Sequence, residues 1–343
     1  MKSIYKSILI LVLIIGVMTS CNSILDENEY YTNDVNVKFT ISMNNHLPSR
    51  AVMLGENLDT YENQMDLSQL NVYLLRGSSS WKVQDILAQR ISDSVYEIIG
   101  SVTLPKSLAE TQNTYKIMVF ANSGSLININ TVGTLSYNYD VSTFYPIQGT
   151  VYKYIPMWGV ATRNVIMELG KRTDLGTINV LRALAKVEVS LDESVDFFAL
   201  QSVKINNYNN KGYALPSTYA SIDNLMENLT SDNINVPTGS LVNSTMDFFQ
   251  IDAKHYIIYI PEFNNQGATQ SSIKVTVKMT STSETKEYTI NFKDYSSSSN
   301  NTIWNICRNY DYKFNICGLN QDIKLYYTID AWNTYNIDVP AFE

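Results

Sequence analysis

The chain is 343 residues long, with 25 Lys+Arg against 33 Asp+Glu and a formal net charge of -8. An acidic chain without a long basic run lacks the face that nucleic-acid phosphates demand, which argues against DNA or RNA as a partner. Apolar residues make up 45% and charged residues 17%, and there are only two histidines, His46 and His255. That composition suits a folded protein and leaves almost no material for histidine metal sites or triads.

Lys2 and Lys6 precede an apolar run over residues 8–15, and Met18-Thr19-Ser20-Cys21 closes the segment. The run is too short to cross a ~30 Å hydrocarbon core comfortably and has the three-part build of a secretory signal. Small residues directly before a cysteine resemble a bacterial lipobox, with Met18 in place of the usual Leu. The alternative is an ordinary signal peptide, 1–20, followed by an incidental cysteine. In the lipobox reading Cys21 becomes the acylated N-terminus, and palmitate-type chains hold the protein on a membrane through buried methylenes. The acidic, polar residues 22–34 then form a solvated tether.

Val35, Val37, Phe39, Ile41 and Met43 alternate with Asn36, Lys38, Thr40 and Ser42. A period of two predicts a strand with one buried face. Further strands are predicted over 70–75, 115–121, 185–189, 256–260, 273–277 and 288–292, with loops at 77–80 and 296–301. Ile222, Leu225, Met226 and Leu229 recur at helical spacing behind Ser221 as a plausible N-cap, and a second short helix is predicted over 81–91. Helices do not alternate with strands, so antiparallel β-sandwiches fit better than a parallel α/β sheet. The interruption at 171–177 places the start of a C-terminal sandwich (178–343).

A search for chemistry finds no HExxH, GxSxG, phosphate-binding glycine loop or GxGxxG. His46 lies in a polar loop, His255 opens an apolar strand, and Asp26 and Glu27 fall in the solvated tether, where they are ordinary surface acids. Cys307 and Cys317 on one extended strand would sit about 33 Å apart, beyond disulfide reach, and lack the close spacing of a zinc site. They are read as buried thiols, a disulfide being the alternative. No catalytic residue, metal ligand or cofactor is expected.

Four segments together resemble a known family. Residues Tyr115-Lys116-Ile117-Met118-Val119-Phe120-Ala121-Asn122, Ile155-Pro156-Met157-Trp158-Gly159, Leu181-Arg182-Ala183-Leu184-Ala185-Lys186 and Arg308-Asn309-Tyr310-Asp311-Tyr312 are similar, in this order, to stretches of the fimbrillins, the type V pilus subunits of Bacteroidia. The resemblance implies an all-β chain of two antiparallel, transthyretin-like β-sandwich domains with few short helices. It also implies export as a surface-exposed outer-membrane lipoprotein, cleavage after an arginine that removes the first strand, and filling of the open groove by a strand of a neighbouring subunit in a fimbrium.

The sequence holds residues for each part. Arg50 is the sole arginine of the first 75 residues and follows the first strand in Leu47-Pro48-Ser49-Arg50-Ala51. A cut between Arg50 and Ala51 by an arginine-specific protease would release the strand carrying Val35, Val37, Phe39, Ile41 and Met43; the alternative is an ordinary loop arginine. The implied cut divides the part before residue 178 into a tether and first strand (21–50) and an N-terminal sandwich (51–177). Leu325, Tyr327, Ile329 and Ala331, then Tyr335, Ile337, Val339 and Ala341, occupy odd positions, which makes 335–342 the candidate donor strand. The alternative is an edge strand, where Pro340 is acceptable. The implied partners are other pilus subunits, the protease and the outer membrane through lipid. A reading of another class is a lipid-anchored glycan-binding protein of the cell surface, with Trp158 as its best exposed aromatic.

Overall fold

In a computed structural model the chain is described over residues 34–43, 62–92, 94–124, 136–140, 154–225, 234–295, 302–319 and 323–331. Strand follows strand: nineteen are present among these residues, beside two three-residue 3-10 turns, Leu67–Gln69 and Tyr219–Ser221.

The first half supplies β1 (Asp34–Ser42), β2 (Asn71–Arg76), β3 (Ser79–Lys82), β4 (Gln84–Ser92), β5 (Val95–Thr103), β6 (Gln112–Ala121), β7 (Ser136–Asn138), β8 (Met157–Ile166) and β9 (Arg172–Arg182). All but β7 join one eight-stranded sheet in the order β3-β2-β6-β8-β9-β1-β5-β4. The sheet folds over at β9, which pairs with β1 along Arg172–Asn179 and with β8 along Val180–Arg182. The two layers enclose one apolar cluster, with Val35, Phe39 and Ile98 from one side and Val72, Ile117 and Val119 from the other.

The second half supplies β10 (Leu184–Leu191), β11 (Phe198–Asn209), β12 (Lys211–Tyr213), β13 (Leu241–Asp247), β14 (Phe249–Gln250), β15 (His255–Pro261), β16 (Ser272–Met279), β17 (Thr285–Asn291), β18 (Tyr310–Leu319) and β19 (Ile323–Ala331). A five-stranded sheet, β14-β15-β10-β18-β19, and a four-stranded sheet, β13-β11-β16-β17, enclose a second apolar cluster. The small β12-β7 ribbon joins a loop of the first half to the second. The chain is therefore all-β and built of sandwiches. Residue 177 lies inside β9, and the chain passes between the two cores at Ala183.

Three expectations are corrected. Pairing is not wholly antiparallel: β1 runs parallel to β9, and β10 runs parallel to β18. A parallel pair needs a long connection, which the intervening strands of each sandwich provide. Residues 81–91 form strands because β3 pairs with β2 and β4 with β5, leaving Leu87 71% and Ile91 57% exposed on an edge. Ile222 is extended, Leu225 lies in no helix, and Ser221 ends a 3-10 turn with its hydroxyl donating to Thr218 O at 2.9 Å. Leu225 instead covers Trp158 and Val160 on the outer face of β8, its N–H bonded to Val160 O at 3.0 Å. Met226 and Leu229, and the predicted loop at 296–301, lie outside the described residues.

Gly159 sits where β8 meets the bend of β9, and a Cβ there would run into Asn179 O and the Val180 side chain. Gly159→Ala should destabilise the fold by about 1–3 kcal/mol, as overpacked sites do, measured by chemical denaturation. An unchanged midpoint would show that the bend has room to relax.

Candidate site for strand exchange

β1 is an interior strand. It pairs antiparallel with β5 through nine residue pairs, Asp34↔Thr103 to Ser42↔Val95, and parallel with β9 on its other side. Its alternation becomes two faces. Val35, Val37, Phe39, Ile41 and Met43 are 0–1% exposed, whereas Lys38 reaches Glu97 at 2.7 Å on the half-buried outer face. Burial of such side chains is worth about 1.5–3 kcal/mol each, so withdrawing β1 would uncover an apolar slot and two open ladders.

The walls of this slot are also held from outside. Between Lys38 and Thr40 the register shifts: Lys38 faces Asp174 and Thr40 faces Thr177, so β9 carries one extra residue. Gly176 takes φ +70° at this bulge, and its N–H is bonded by Asp174 Oδ1 at 2.8 Å. Arg163 of β8 donates to Leu175 O at 2.8 Å and to Thr177 O at 2.6 Å. The opposite wall, β5, is backed by β4.

At the end where β1 finishes, four distant segments converge, and they are those quoted above for the family resemblance. Asn122 donates to Gln64 O and Ile155 O at 2.9 and 2.8 Å and accepts from Asp66 N at 2.8 Å. Arg182 is 1% exposed. It donates to Glu62 O at 3.1 Å, to Asn309 Oδ1 at 3.3 Å and to Asn63 Oδ1. Glu62 Oε1 accepts from Tyr259 at 2.7 Å and meets Lys186 Nζ at 3.1 Å, and Lys186 also reaches Glu188 at 2.6 Å and Asp311 at 4.0 Å. His255 pairs with Glu188 at 3.2 Å and Lys313 with Asp311 at 3.5 Å. A second clamp, Arg308 on Glu262 at 2.8 Å, also holds the carbonyls of Tyr213, Ala214 and Leu215. This fixes the start of the segment that covers Trp158.

Burial pulls the Lys186 ammonium down, but Glu188, Glu62 and Asp311 together outweigh it and hold its pKa well above the usual range. Burial also raises Glu188, yet Lys186 and His255 win and keep it below the carboxylate range. Asp311 goes the other way: burial, then the Glu188 charge, pushes its pKa up to about 8.

Sequence reasoning missed Glu62, Asn63 and the role of Arg182, whose partners lie 119–127 residues away. Trp158, read as an exposed aromatic, is 1% exposed and lies in an apolar cluster with Leu215 and Leu225. Cys307 is buried and Cys317 half-buried, and neither is in a disulfide. Cys21, His46, Arg50, Ala51, Tyr335, Ile337, Val339 and Ala341 lie outside the described residues. β19 forms the edge of its sheet, and Tyr327 donates to Asp294 at 2.9 Å. Ala331, the last described residue of β19, pairs opposite Tyr310.

Phe39→Ala in the uncut chain should cost about 3–5 kcal/mol, read by denaturation, as for other buried aromatics. A loss below 1 kcal/mol would show that β1 contributes little to the core. For Asp311, the folded state holds a proton that the unfolded chain releases above the ordinary carboxylate range of about 4. Stability should therefore fall as pH rises from that range towards about 8. Asp311→Asn should flatten the decline, measured as denaturation midpoints at several pH values. Equal slopes in both proteins would contradict this.

No family model matches the chain, and no curated protein is similar to it. Among solved structures the chain is similar to the tip fimbrial protein Mfa3 from Porphyromonas gingivalis with C-terminal truncation. The TM-score is 0.52 at 14% identity, covering 87% of this chain and 100% of that one. It is also similar to a fimbrial assembly protein from Parabacteroides distasonis, with TM-score 0.48 at 11% identity, covering 87% of this chain and 99% of that one. The chain thus shares the fold of a fimbrial tip protein along 87% of its length.

Proposed function

We propose that the chain is a structural, non-enzymatic subunit of a cell-surface fimbria with a role in adhesion. It is exported as a lipoprotein acylated at Cys21, cut between Arg50 and Ala51, and polymerised when a neighbour's strand fills the slot vacated by β1. Its own donor is the segment 335–342, which carries Tyr335, Ile337, Val339 and Ala341.

The observation that carries this reading is the place of β1. It is the first described strand of the chain, yet it lies between two others and buries Val35, Val37, Phe39, Ile41 and Met43 at 0–1% exposure. A strand so placed can leave without unthreading any other element. What it leaves is an apolar slot with unpaired ladders on both sides, the template that β-augmentation uses. The fold shared with a fimbrial tip protein agrees with this. The burial of Trp158 removes the best exposed-aromatic candidate of the glycan-binding reading.

The N-terminal sequence and intact mass of the protein recovered from the cell surface test the proposal. A chain beginning at Ala51 is the expected result, and removal of 335–343 should then abolish polymer formation while the subunit still folds. An acylated chain beginning at Cys21 in assembled material would overturn strand removal.

A further inference from the structure

Between the proposed cut and the 3-10 turn lies a strap, residues 62–66, that the assembly reading leaves without a role. Glu62 and Asn63 are each 3% exposed, although they connect two parts of the chain and would ordinarily lie on the surface. The strap runs past the end of the β1 slot. Asn63 O accepts from Tyr96 at 3.3 Å, and Tyr96 is the ladder partner of Ile41. Met65, 8% exposed, belongs to the same apolar cluster as Phe39, Ile41 and Met43.

Its holding partners are Arg182 on β9, Tyr96 on β5, Asn122 after β6, Lys186 on β10 and Tyr259 on β15. Each lies on an element that stays when β1 is withdrawn. The Glu62 carboxylate meets an ammonium at 3.1 Å and a phenol at 2.7 Å, both from the second sandwich. Breaking such a buried pair leaves an uncompensated charge and is strongly unfavourable.

Resting on the strand-exchange reading, we propose that this clasp is a positioning device: residues 62–66, pinned by Arg182, Lys186 and Tyr259, form the fixed end wall of the slot. The wall remains after β1 leaves, keeps Met65 in the core and sets where an incoming strand must stop. Glu62 acts through the strap and touches no reacting group.

The test uses the full chain, nicked after Arg50 with an arginine-specific protease, and a labelled synthetic peptide of residues 34–43 in excess as the probe. The nicked protein is expected to exchange its own β1 for the peptide while the amides of 62–66 stay protected from hydrogen exchange. Glu62→Gln is expected to weaken peptide binding about tenfold or more, equivalent to 1.4 kcal/mol or above. Tyr259→Phe, which removes one hydroxyl from the clasp and keeps the ring, should act in the same direction if Glu62→Gln does not fold. Ile290→Val, a mild change in the second core, reports destabilisation alone and should leave binding unchanged. Peptide binding by both clasp variants at the wild-type level, or loss of strap protection once β1 is exchanged, would overturn the end wall and leave strand exchange standing. Failure of the nicked wild-type chain to take up any peptide would overturn strand exchange itself.

Discussion

The structure is organised around a guanidinium that has nowhere to discharge. Arg182 is 1% exposed, its charge persists at any physiological pH, and its N–H donors must find acceptors in the interior. It finds them on residues 62, 63 and 309, so two remote stretches of chain are brought to one point on β9. Lys186 repeats the demand four residues later, drawing in Glu62, Glu188 and Asp311. Neither sandwich meets these demands alone: the strap that closes the first core carries acceptors for cations on β9 and β10. The junction between the sandwiches is therefore polar but dry, and it is specific because few other arrangements would leave these charges paired.

The two sandwiches treat their first strands alike. β1 lies between an antiparallel neighbour, β5, and a parallel one, β9; β10 lies between antiparallel β15 and parallel β18. The difference is covalent. β10 follows β9 through Ala183 alone, whose N–H is bonded to Pro156 O at 2.7 Å, so it is tied into the junction. Between β1 and the strap the sequence has the eighteen residues 44–61. The same position in the fold is thus tied covalently into the junction in one sandwich, whereas in the other it is the strand that the proposed function removes.

Much of this was legible in the sequence, for a physical reason. Where one face of a strand is buried and the other wet, as in 35–43 or 273–277, alternation writes the strand directly. β4 and β9 were not legible, because the bulges at residues 84–87 and 174–177 break the period of two. The spacing of Ile222 and Leu225 misled because a cover over Trp158 also needs apolar residues, and their contacts come from another sheet. The Arg182 clasp could not be read at all. A buried charge has no periodicity, and its partners are named by the fold; the family-like segments marked the place but not the interaction.

One asymmetry bears on why a strand rather than a side-chain surface would occupy the slot. The outer edges of the first sandwich are poor templates: β3 spans four residues, and the β4–β5 register shifts twice. Short and bulged edges discourage pairing with other chains. On its inner side, by contrast, β5 meets β1 in nine consecutive pairs without a shift. The unshifted inner edge of β5 is thus one that β1 covers. With β1 present, the edge strands of this sandwich among the described residues are the short β3 and the bulged β4. With β1 gone, it offers a regular edge backed by an apolar floor, which an extended segment of alternating residues can satisfy on both counts. Polymerisation would then follow removal of the strand without any rearrangement of the walls, because Arg163 and β8 hold one side, β4 holds the other, and the junction holds the end.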